Sequence, residues 1–112
     1  MKLSHRIEKN VCVVAVIGNF ALSNNDEISL YLEPLIENPN IKILLIDFEH
    51  VEVIDSKGAG LLASVFKKLS NIQKELVLCE LNINCHSVLK TISLDQIIEI
   101  HQTQKEALTE KL

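Results

Sequence analysis

Hydrophobic residues in this chain fall into two alternating kinds of segment. Val11–Ile17 (VCVVAVI) and Ile41–Phe48 (IKILLIDF) are nearly continuous runs rich in β-branched residues and closed by turn signals. Such runs read as strands buried on both faces. Glu75–Glu80 (ELVLCE) reads as a third strand and Ile97–His101 as a short last one. Met1–Glu8, with Leu3 and Ile7 on one side, fits an edge strand that turns at Lys9-Asn10.

Between these runs the spacing changes to that of a helix. Ile28, Leu32, Leu35 and Ile36 define the inner face of a helix over Ser23–Asn38, capped by Ser23 or Asn24, with Asp26 and Glu27 at its positive end. Pro34 removes one hydrogen bond inside it and is expected to kink or interrupt it. Leu62, Val65, Phe66 and Leu69 mark a second helix, Cys85–Thr91 a short third. Thr103–Leu112 is a terminal helix, with Thr103 and Glu106 forming a capping box and Ala107 and Leu108 facing inward. Strands alternating with helices predict an α/β fold: one domain over 1–112, with a mostly parallel or mixed sheet of four to five strands and about four helices.

The stretch Val51–Leu69 (VEVIDSKGAGLLASVFKKL) organises the rest. A strand end enters the turn Asp55-Ser56-Lys57-Gly58-Ala59-Gly60 and leaves as the second helix. Asp55 or Ser56 can cap that helix, and the two glycines permit the turn and close helix packing. The turn places polar side chains at the positive end of a helix dipole but holds no complete catalytic set. His50, Asp55 and Ser56 are near in sequence, but a triad is recognised by geometry rather than by proximity along the chain, and no phosphate loop is present. The pattern favours recognition over catalysis, so a non-enzyme is expected.

Composition narrows the partners. Of 112 residues, 47% are hydrophobic and 4% aromatic, so the core is aliphatic. A net charge of −4 argues against nucleic acid, which requires a basic footprint. Cys12, Cys79 and Cys85 read as reduced, partly buried residues, and with His86 they match no metal-ligand spacing. No cofactor is expected. The apolar run ending at Gly18 is too short to span a membrane, and the first ten residues lack a signal peptide's apolar core, so a cytoplasmic protein without membrane insertion is expected.

The element order around the turn resembles STAS domains, above all the bacterial anti-sigma factor antagonists. VIGNFAL, IKILLIDFEHVEVIDSKGAG and SVLKTISLDQIIEI carry the similarity, the second being similar to the family's D-S-[ST]-G-x-G. The resemblance implies a regulatory protein-binding module whose partner is an anti-sigma factor, a serine-kinase-like ATPase. It implies a partner surface of Asn19, Ala21, Leu22, Asp55, Ser56, Lys57 and Gly58, on a monomer or weak dimer. Two positions depart from the family. Lys57 stands where the phosphorylated Ser or Thr is expected, and Ala21 where an acidic residue is expected. Phosphorylation adds roughly two negative charges to such a surface, whereas Lys57 adds a positive one. Partner binding without phosphorylation at the usual position is therefore expected. Ser56 is the substitute acceptor, although capping accounts for it more simply. The alternative is a STAS subunit of a larger assembly, such as a lipid-transport ATPase complex or a stressosome-like particle.

Overall fold

The computed structural model describes residues 1–112. Five strands form one mixed sheet in sequence order: β1 (Lys2–Glu8), β2 (Val11–Ile17), β3 (Ile43–His50), β4 (Glu75–Cys79) and β5 (Glu99–His101). β1 runs antiparallel to β2, from which Lys9 returns the chain at φ 54°, and the other pairings are parallel. The parallel connections carry α1 (Asn25–Glu37), α2 (Ser56–Asn71) and α3 (Ile83–Thr91), and α4 (Gln104–Lys111) follows β5.

Strand alternation sorts the core into two layers. Cys12, Val14, Val16, Leu44, Ile46, Leu76 and Leu78 join the apolar faces of α1, α2 and α3 in a cluster of 24 buried residues. Val11, Val13, Ile43, Leu45, Val77 and Cys79 turn to the opposite face, where Ala107 and Leu108 of α4 cover them. Burial of both faces explains why β2 and β3 read as continuous rather than alternating runs. All three cysteines are buried and unpaired. No helix is long and apolar enough to cross a membrane.

Several expectations require correction. α1 begins at Asn25 after a 3-10 turn at Leu22–Asn24, and neither Ser23 nor Asn24 caps it through a side chain. The Asn24 amide is spent instead on the Asn19 carbonyl, 2.8 Å away. Pro34 does not interrupt α1, which continues to Glu37. The carbonyl that loses its partner belongs to Leu30, four residues earlier on the exposed face, where water can serve it. β3 begins at Ile43 and extends through Glu49 and His50, two residues later at each end than the expected Ile41–Phe48. β5 covers only Glu99–His101 of the expected Ile97–His101. Thr103 caps α4 as expected, accepting a hydrogen bond from the Glu106 N–H at 3.1 Å.

Candidate functional site

The carboxyl ends of β2, β3 and β4 lie at one end of the sheet, and the segments leaving them are stitched together there. Phe20 forms a parallel bridge with Ile54: its N–H donates to the Val53 carbonyl at 3.0 Å, and its carbonyl accepts from the Asp55 N–H at 3.2 Å. Asn19 adds a side-chain link, its Oδ1 accepting from the Val53 N–H at 3.3 Å. The chain after β2 is thereby fastened to the turn before α2, although the two are over thirty residues apart in sequence.

Asp55 is the hub. It sits at the N-cap of α2 in extended backbone, and its Oδ1 accepts from the Gly58 N–H at 2.7 Å. Its Oδ2 accepts from the Leu22 N–H at 3.1 Å. These bonds, first from Gly58 and then from Leu22, hold its carboxyl below the ordinary aspartate value. One carboxylate therefore caps the helix and also fixes the neighbouring loop.

Gly58 is indispensable to that arrangement. A Cβ there would lie 1.7 Å from the Phe20 carbonyl oxygen, so only glycine allows the two segments to meet. Gly60 differs from the expectation of close packing: it is exposed, and a Cβ there would meet nothing within 4 Å.

The structure brings all the expected site residues together. Asn19, Ala21 and Leu22 line one side, and Asp55 to Gly58 the other. Asn25 was not anticipated: its Nδ2 donates to the Lys57 carbonyl at 2.9 Å and joins α1 to α2. Asn82 was also missed. It caps α3 through the Cys85 N–H at 2.7 Å, while its Nδ2 donates to the carbonyls of Val51 and Glu52 at 3.3 and 3.1 Å. An Asn at the start of α1 and another just before α3 were the available signals, but only the fold shows where the amides reach.

The expectation that Ser56 caps α2 is overturned, because Asp55 already holds the position. Ser56 is the first helical residue, exposed, and its side chain makes no hydrogen bond within the chain. Lys57 is exposed beside it and has no carboxylate within ion-pair reach. The turn thus presents a free hydroxyl and a free ammonium on a backbone fixed by other groups.

With this geometry in view, the similarity to known proteins has a structural meaning. The STAS domain profile matches residues 2–107, and the chain belongs to that family. It is an anti-sigma factor antagonist-like STAS domain. It is 22% identical over 102 residues to the anti-sigma F factor antagonist of Paenibacillus polymyxa, covering 91% of this chain and 87% of that one. Its fold is similar to a crystal structure from Thermotoga maritima described as a candidate anti-sigma factor antagonist, with a TM-score of 0.89 at 22% identity over 96% and 92% of the chains. It is also similar to the Bacillus cell fate determinant SpoIIAA in its phosphorylated form, with a TM-score of 0.77 at 16% identity over 99% and 100%.

Proposed function

We propose that this chain is a cytoplasmic, non-enzymatic binding module that engages an ATP-dependent anti-sigma kinase through Asn19, Ala21, Leu22 and Asp55 to Gly58, and is not phosphorylated at the usual position. The observation that carries the reading is the division of labour at the turn. Asp55, Gly58 and backbone groups hold the shape, leaving the Ser56 and Lys57 side chains free to meet a partner. An ammonium at Lys57 offers no oxygen to accept a phosphoryl group, so the interaction lacks the charge reversal that phosphorylation would impose.

A purified anti-sigma ATPase with labelled ATP tests this directly. The wild-type chain should bind it and acquire no phosphate, and Lys57→Ser should acquire phosphate at the new hydroxyl. Phosphate on the wild-type chain that disappears in Ser56→Ala would make Ser56 the acceptor and refute the unswitched reading. Failure to bind at all would refute the partner. The second reading, a subunit of a larger assembly, draws support from the same lysine, because a module without a switch suits a permanent contact. In that case the chain should elute from native extract in a large particle.

A further inference from the structure

Each of the segments that follow β2, β3 and β4 at the carboxyl end of the sheet exposes one aliphatic side chain. Leu22 follows β2 and is 64% exposed, Val53 follows β3 at 48%, and Ile83 opens α3 after β4 at 83%. Isolated exposed aliphatics are ordinary, but these three follow the strand order on segments bonded to one another. The Leu22 N–H is held by Asp55, Val53 by Asn19 and Phe20, and the Asn82 amide ties the start of α3 to Val51 and Glu52. The three segments are therefore fixed relative to one another before any partner arrives, which lowers the ordering cost of binding.

Charge identifies the occupant. Glu49 and Glu52 are exposed on the chain leading to Val53, with His50 3.8 Å from Glu49, and Lys57 is the exposed cation of the turn. The chain itself carries −4 and the two glutamates outnumber Lys57 here, so a second copy would bring a net like charge. We infer that the partner contact extends beyond the Asp55–Gly58 turn across Leu22, Val53 and Ile83, and that its occupant is a protein face with an aliphatic strip and with basic side chains opposite Glu49 and Glu52. This rests on the proposed function and assigns Ile83, on a different helix from the turn, to the interface.

The test titrates the purified anti-sigma ATPase with the chain and its variants. Ile83→Asp should weaken binding at least tenfold. An acidic residue in the first turn suits the helix dipole, so α3 should still form, as far-UV circular dichroism will check. Ile72→Asp, at the far end of α2, should bind as wild type. Glu49→Lys combined with Glu52→Lys should weaken binding and flatten its salt dependence. Wild-type affinity in both the Ile83 and the double charge variants, with loss in Lys57→Glu, would confine the contact to the turn: the inference fails while the proposed function stands. If the wild-type chain does not bind the ATPase, that reading fails and this one with it. A concentration-dependent dimer in sedimentation that Ile83→Asp abolishes would make the occupant a second copy and overturn the assignment.

Discussion

The two glycines of the turn offer a test in which one substitution chemistry produces opposite signs. In Gly58→Ala the new methyl would lie 1.7 Å from the Phe20 carbonyl oxygen and 2.5 Å from its carbon. Restoring even a 3.0 Å contact requires the segments to part by about 1.3 Å. The neighbour is backbone, and it is held by the Phe20–Val53 and Asp55–Phe20 hydrogen bonds at 3.0 and 3.2 Å. Overpacking of this kind costs about 1–3 kcal/mol. Stretching one or two hydrogen bonds adds about 1 kcal/mol each. Helix propensity returns roughly 0.5–1 kcal/mol for replacing glycine with alanine. The balance is a loss of about 2–3 kcal/mol, or roughly 8–14 °C in Tm for a chain of this length. Gly60→Ala meets no atom within 4 Å and has no positive φ, so only the propensity gain remains. It should raise stability by about 0.5–1 kcal/mol. Urea unfolding followed by far-UV circular dichroism, with m compared across variants, measures both. A Gly58→Ala protein as stable as wild type would show that the Phe20–Gly58 approach is not what holds the site.

Other consequences follow from charge and burial. Hydrogen bonds lower the folded pKa of Asp55, so its contribution is present above the unfolded aspartate value and is lost as pH falls through the folded one. Asp55→Asn should therefore flatten the acid limb of a stability–pH curve. At the other end of the sheet, burial pushes the Glu99 carboxyl up, but hydrogen bonds from Lys111 and His101 outweigh it and leave it lowered. Lys111 is raised by its bond to Glu99, 2.7 Å away. The pair should stabilise the fold at neutral pH and fail at both extremes, as acid protonates Glu99 and alkali deprotonates Lys111. Lys111→Met should cost under about 1 kcal/mol at neutral pH in thermal melts, and less at either extreme. Burial pushes the Cys79 thiol up to about 12 and Cys12 up to about 11. A thiol reagent at mildly alkaline pH should leave the native chain unlabelled and modify three thiols in denaturant; rapid native labelling would contradict that burial.

The sequence made some parts of this architecture legible and concealed others for identifiable reasons. β2 was found to the residue because turns bound its apolar run on both sides. The inner face of α1 was found because four aliphatics keep helical spacing. Pro34 misled because the cost of proline depends on whether the orphaned carbonyl reaches water, and Leu30 lies opposite the four inner aliphatics. β3 was cut short because Glu49 and His50 are polar, yet parallel pairing to Ile17 carries the strand past them. At the site, the turn and its residues were legible from Asp55 and the glycines. The roles were not. Asp55 rather than Ser56 caps the helix, and its second oxygen serves the Leu22 N–H, 33 residues away, which no local pattern announces. The need for Gly58 arises from the Phe20 carbonyl, and no local pattern encodes that contact.

That separation of roles bears on Lys57. Every bond that fixes the turn runs through Asp55, Asn19, Asn25 or the backbone, and even the Asn25 bond goes to the carbonyl of Lys57 rather than to its ammonium. The side chains at 56 and 57 can therefore change without disturbing the fold, and the surface charge can change with them. Lys57→Ser should leave stability within about 0.5 kcal/mol of wild type, as expected for an exposed position free of special contacts. Its effect on partner binding would then report surface chemistry alone. A Lys57→Ser protein destabilised by several times that amount would place the lysine in the scaffold, and the reasoning that assigns this position to recognition would have to be abandoned.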